Sequence, residues 1–197
     1  MQIRDLRPLT MLVAGMVAIG ALWTPLVLGT ALLAPAAFAA HVTPIAQSVD
    51  LAQTLFKLLT TILFAIWIYQ AGQNLRAAGF DDLQFTPGAR IWWFAVPVAN
   101  LFKPFEGMRE LWNASHERYP YSESGLLVSL WWACYLLVSF ARSFMRLFAG
   151  IKGSATGELW LASPIEIALA ITAILLIWNI AKAQLGLRGD RLEAVFA

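Results

Sequence analysis

The chain has 197 residues, of which 59% are hydrophobic and 13% charged, with a formal net charge of +2. A soluble domain carries about 25% charged residues, so this chain lacks the polar surface to cover itself in water, and its mean hydropathy of +0.66 agrees. A net charge this small excludes the broad basic field that nucleic acid requires, and one cysteine, Cys134, excludes an internal disulfide or a Cys-rich metal site.

A helix needs about 20 apolar residues to cross the hydrocarbon core. Four stretches qualify, at residues 9–33, 49–69, 125–149 and 164–183. They predict an all-α, polytopic membrane protein forming a single integral membrane domain over 1–197. The first stretch is longer than the roughly 7–15 apolar residues of a signal peptide, so it reads as a retained anchor. Pro25 and Gly29 are its expected kink. Pro164 suits the first turn of the fourth helix, where its missing N–H is no loss.

With four spans, both termini and residues 70–124 share one side. That side holds Arg4, Arg7, Arg76, Arg90, Lys103, Arg109, Arg118, Lys182, Arg188 and Arg191, and the other holds only Lys152. The positive-inside rule then puts both termini in the cytoplasm of a bacterial inner membrane. Trp67, Trp92, Trp93, Trp112, Trp131, Trp132 and Trp178 fall near the cytoplasmic ends of their segments, as expected for residues at headgroup level.

The cytoplasmic segment 88–118 has its own pattern. The apolar run 91–99 is too short to span and is broken by Pro97, Asn100 and Pro104. It reads as re-entrant or interfacial. As a re-entrant loop its free carbonyls and the Asn100 amide would line a cavity; as a tight turn, Asn and Pro would simply shape the backbone. From Pro104 a helix is expected to run to Ser115. Phe105, Met108, Leu111 and Trp112 form its apolar face, and Glu106, Glu110, Asn113 and Glu117 the polar one. Such a helix either lies on the inner leaflet or packs under the bundle.

Lys57, Arg142, Arg146 and Glu166 are charges inside spans, all in the outer third. Ionisable groups there are functional candidates because each is costly at mid-bilayer. Together they would hold an anionic lipid headgroup; alternatively they snorkel to outer-leaflet phosphates, with Glu166 paired to an arginine. No catalytic constellation, phosphate loop or metal-ligand spacing is visible, and His41 and His116 fall on opposite sides of the membrane. No enzyme activity, cofactor or metal is expected.

Several blocks together resemble a known family. They are Phe64-Ala65-Ile66-Trp67-Ile68-Tyr69 with Asn74, Phe85-Thr86-Pro87-Gly88, Trp93-Phe94, Val96-Pro97-Val98-Ala99-Asn100-Leu101 with Pro104, Arg109-Glu110-Leu111-Trp112 with Ser115, and Trp131-Trp132. The pattern is similar to the bacterial membrane-protein family known as domain of unknown function 4328, over roughly residues 49–184. The resemblance implies a multi-span architecture with a signature loop between the second and third full spans, and no assigned activity. The candidate ligand- or partner-binding residues are Asn74, Trp93, Pro97, Asn100, Pro104 and Trp112. The function expected is a non-catalytic accessory or scaffold subunit binding membrane lipid, a membrane-protein partner or a second copy. The alternative is a small oligomeric transporter or channel with 91–104 as its pore loop.

Overall fold

In the computed structural model the backbone is described for residues 3–148 and 155–196, and side chains for 3–141 and 163–188. The side chains of Arg142, Arg146 and Lys152 therefore lie outside the described residues. The described chain is helical without a strand. Its elements are α1 (Arg7–Leu33), α2 (Pro35–Ala37), α3 (Ala46–Ala77), α4 (Ala89–Trp92), α5 (Lys103–Ser115), α6 (Leu126–Phe148) and α7 (Ala155–Phe196). A π-turn at Phe38–Val42 and a 3-10 turn at Thr43–Ile45 lead from α2 into α3.

Among the described residues three stretches are long and apolar enough to cross a membrane: Arg7–Leu33, Pro35–Ala77 and Ser163–Arg188. Leu126–Ala141 of α6 is a shorter apolar helix by the same measure. Along α3, Leu51, Leu55, Leu58, Leu59, Ile62 and Ile66 are all exposed. Monomeric soluble proteins rarely tolerate a contiguous apolar surface of this kind, and it suits a helix bathed in lipid.

Packing follows the inward face of each helix. On α1, Thr10, Val13, Thr24 and Leu28 are buried, at spacings that keep to one helical stripe. Thr10 meets Trp67 of α3 and Thr24 meets Glu166 of α7; on α7, Ala170, Ala173, Leu176, Ile177, Ile180 and Ala181 are buried, and small residues there let backbones approach. Both α1 and α6 pack along α7, and α1 also packs along α3. By contrast, among the described residues α3 and α6 do not pack extensively along each other, which leaves a gap on that side of the bundle.

The ends of α3 and α5 are set by the same local chemistry. At α3, Gly79 has φ 91°, its N–H donates to Arg76 O at 3.0 Å, and Phe80 N–H donates to Leu75 O at 3.1 Å. This is a Schellman end, with glycine in the left-handed position. At α5 the residue in that position is Glu117, at φ 53°. Arg118 N–H bonds Asn113 O at 2.9 Å and Glu117 N–H bonds Ala114 O at 3.2 Å. Glu117 is therefore a helix terminator and not part of the polar face of α5. The start of α5 agrees with the sequence, since Pro104 occupies its first turn.

Three expectations are corrected. Pro164 lies inside α7, which starts at Ala155, so it does not open the helix. Neighbouring helices compensate the lost backbone bond of an interior proline in a membrane bundle. Trp67, Trp131 and Trp132 are buried in the bundle and do not stand at a headgroup surface. Burial is tolerable because the Trp67 indole N–H donates to Thr10 Oγ1 at 2.8 Å and that of Trp132 to Leu101 O at 3.1 Å. Finally, Glu110 and Asn113 are buried, whereas polarity alone assigns them to the solvent face of α5.

Candidate functional site

The signature segment folds as a floor under one end of the bundle. After α4 come 3-10 turns at Trp93–Ala95 and Ala99–Leu101. Between them Val98 takes φ 67° and ψ −55°, and Ala99 N–H donates to Pro97 O at 2.7 Å. That is a γ-turn of the strained, positive-φ kind, and a β-branched residue there is a genuine outlier. Val96 O accepts from Asn100 N–H at 2.9 Å, Val98 O from Leu101 N–H at 3.0 Å and Ala99 O from Phe102 N–H at 3.1 Å. Backbone donors and the Trp132 indole thus satisfy the carbonyls of Val96, Pro97, Val98, Ala99 and Leu101. Asn100 Oδ1 is buried and has no hydrogen-bond partner.

Two polar locks tie this floor to the helices. In the first, Arg90 Nη2 donates to Glu110 Oε2 at 2.9 Å and Arg90 Nε to Gly107 O at 3.3 Å. Glu110 also accepts the backbone N–H groups of Gln84 and Phe85. Burial pushes the Arg90 guanidinium below its ordinary range, and the Glu110 carboxylate opposes that shift. Gly72 of α3 makes room: a Cβ there would sit 2.9 Å from Arg90 Nη1 and 3.2 Å from the Pro87 Cα. In the second lock, Asn74 Nδ2 donates to Arg4 O at 2.9 Å and to Gln184 Oε1 at 3.0 Å, while Asn74 Oδ1 accepts from Arg4 N–H at 2.8 Å. Gln184 in turn donates to Ala71 O at 3.1 Å and to Ser115 Oγ at 2.9 Å. One buried pair of amides therefore joins the N-terminal segment, α3, the end of α5, and α7.

The gap between α3 and α6 is a cleft of about 580 Å³. Its back wall is α1 and α7, at Val17, Gly20, Ala21, Leu169, Ala170 and Ala173. Its sides are Lys57, Thr60, Thr61, Phe64, Ala65 and Ile68 of α3, and Trp131, Tyr135, Val138 and Ser139 of α6. Ile91 and Phe94 of the signature segment line its near end. Behind them Phe94 meets Trp132 at 6.4 Å and Tyr135 at 6.0 Å, ring centre to ring centre. At the far end stand Lys57 and Glu166; Thr24 Oγ1 donates to Glu166 Oε2 at 2.9 Å.

The residues singled out from sequence do not form one site. Asn74 belongs to the amide lock, Trp112 is half-buried against His116 with ring centres 4.3 Å apart, and Pro104 is buried at the start of α5. Trp93 is half-buried, Pro97 exposed and Asn100 half-buried in the signature turns. Lys57 and Glu166, read as members of one charge cluster, do line the same cleft; Arg142 and Arg146 lie outside the described side chains. Arg90 was not a sequence candidate, although its partner Glu110 stands in the Arg-Glu-Leu-Trp block. A lone basic residue after Pro-Gly gives no signal of burial.

These elements define an all-helical protein with apolar helices of membrane-spanning length, floored by the signature segment and tied by buried polar contacts. The family described as Domain of unknown function (DUF4328) matches residues 29–183. The chain belongs to that family. No curated protein and no solved structure is detectably similar to it.

Proposed function

We propose that the protein is a non-catalytic accessory subunit of a bacterial inner membrane that takes a membrane lipid or a membrane-protein partner in the cleft between α3 and α6. In this reading α6 is the fourth span. Its 23 residues reach about 34 Å at 1.5 Å per residue, enough for the hydrocarbon core. Both termini lie in the cytoplasm, because basic residues concentrate on the side of the signature segment.

The cleft carries the reading. It opens between two helices that face lipid, Ile91 and Phe94 line its near end, and its only described charged side chains stand at the far end. Trp92, Val98, Leu101 and Phe102 are exposed on the signature segment, and an aromatic and apolar edge at this level suits insertion into the inner leaflet or contact with a partner.

Gentle purification from native membranes, followed by mass spectrometry of everything retained, tests this. A stoichiometric lipid or membrane protein is expected. A chain that retains neither after mild extraction overturns the accessory reading. Cysteines replacing Ser48 and Ser122, both exposed, test orientation in intact cells. The first should react with an impermeant thiol reagent added outside and the second should not; labelling of the second from outside would end the four-span arrangement.

A further inference from the structure

We infer that the occupant of the cleft is one acyl chain of a membrane phospholipid, with the lipid phosphate at Lys57. This rests on the accessory reading above and names its ligand. Three observations point the same way.

The first is polarity. On α3 the lining runs from Lys57, Thr60 and Thr61 to Phe64 and Ile68, a change from polar to apolar along one face. On α7 it runs from Glu166 towards Ala173, and on α6 from Ser139 back to Trp131. Each of the three helices presents its polar residue at the same end. That gradient matches an amphiphile lying along the cleft, headgroup at the far end and chain towards Phe94.

The second is size. From Lys57 to Ile68 a helix rises about 16 Å. A cleft of about 580 Å³ falls in the size range of small-molecule sites, about 300–1,000 Å³. A single hydrocarbon chain fits within it.

The third is donor chemistry. The Thr60 hydroxyl donates to Phe56 O at 2.8 Å and the Thr61 hydroxyl to Lys57 O at 2.9 Å. Lys57 is the cation among the described side chains lining the cleft, so its charge suits a phosphate, and it sits where the gradient puts the headgroup. Thr24 holds the Glu166 carboxylate from the α1 side, so one wall of the headgroup end is fixed.

The test uses the full chain in vesicles of phosphatidylethanolamine and phosphatidylglycerol. These are doped with a phosphatidylethanolamine bearing a diazirine near the end of one acyl chain. After irradiation, adducts are expected on Ile91, Phe94 or Phe64 in excess of those on Leu22 and Leu26, which are exposed on α1. Ala170→Trp fills the cleft, and adducts at its floor should fall about tenfold while those on α1 stay, since a filled pocket excludes its ligand. Gly20→Leu is a second way to block it, because a Cβ there meets only Phe56, at 3.6 Å. Lys57→Gln should reduce floor adducts several-fold with an unchanged size-exclusion profile, since a phosphate loses its charged donor.

Adducts spread evenly over outward faces and unmoved by either blocking variant would mean only ordinary surrounding lipid, and would overturn the inference. An unlabelled floor in a protein that keeps a stoichiometric membrane-protein partner overturns the lipid while leaving the accessory reading intact. An unlabelled floor with nothing retained overturns both.

Discussion

The Arg90 guanidinium donates to the Glu110 carboxylate at 2.9 Å with the two side chains 1% and 7% exposed. Removing one partner of such a pair leaves an uncompensated buried charge, which typically costs about 3–5 kcal/mol. Glu110→Gln keeps the shape and one acceptor for the Gln84 and Phe85 amides but removes the charge, so a loss in that range is expected. Arg90→Met alone should also destabilise. The double variant should lose much less than the sum, because neither charge is then stranded. The check is a double-mutant cycle on unfolding in detergent; additivity within about 0.5 kcal/mol would show the pair uncoupled.

Gly72 sets two physical effects against each other. In an ordinary helix Gly→Ala gains up to about 1 kcal/mol from propensity. Here the new Cβ would lie 3.1 Å from Pro87 Cβ and 3.2 Å from its Cα. A proline backbone cannot yield as a side-chain tip can, and overpacking costs about 1–3 kcal/mol. Gly72→Ala should therefore lower thermal stability despite the better helix former. Adding Arg90→Met clears the nearer clash, with Arg90 Nη1, and should not restore what Pro87 costs. A Gly72→Ala variant with raised stability would mean that α3 is not held against residues 87–90.

The Asn74–Gln184 pair joins segments 110 residues apart in sequence. Every Asn74 polar atom is used, so this is a fully satisfied buried network. Asn74→Ala strands the Arg4 N–H and one acceptor of Gln184, at about 1–3 kcal/mol. Asn74→Asp should do worse, since it replaces two donated bonds by a buried charge. Hydrogen exchange on the N-terminal segment gives a second readout: residues 4–6 should lose protection in either variant, while α6 should not. Unchanged protection at Arg4 would remove the N-terminal segment from the lock.

What the sequence made legible follows from the range of each signal. Apolar runs of 20 residues and a proline at the start of α5 are local; the helices they predict are present, and among the described residues three of the four runs lie in stretches of membrane-spanning length and apolarity. The burial of Glu110 and Asn113 is not local. Polarity assigns them to a wet face, yet Glu110 is neutralised by Arg90, 20 residues earlier, and Asn113 Nδ2 donates to the carbonyls of Tyr121 and Glu123. The burial of Trp67 and Trp132 was hidden for the same reason: their indole partners, Thr10 and Leu101, are 57 and 31 residues away. The cleft was invisible because it depends on two helices failing to meet, which no single segment encodes. Lys57 and Glu166 could be grouped beforehand because depth in the membrane can be counted along each span.

Sequence and structure diverge most at Val98 and Asn100. The prolines break the ladder as expected, but the carbonyls of Val96, Val98 and Ala99 all find backbone donors. The Asn100 carbonyl oxygen therefore closes nothing. Asn100→Ala removes a buried acceptor with no partner, so its stability cost should be about 1 kcal/mol or less, below the 1–3 kcal/mol of a closing hydrogen bond. Val98 carries the complementary signature. A strained non-glycine residue of this kind costs about 1–3 kcal/mol, and glycine adopts positive φ freely at an entropic cost of about 0.5–1 kcal/mol. Val98 is 71% exposed, so little packing is lost, and Val98→Gly should raise stability by about 1 kcal/mol. If the strain serves lipid or partner binding, retention of that ligand should fall in Val98→Gly and Asn100→Ala although both fold normally. Thermal unfolding beside ligand co-purification separates the outcomes. A destabilised Val98→Gly would show that the turn is not strained, and stable variants that retain their ligand would leave the segment a purely structural floor.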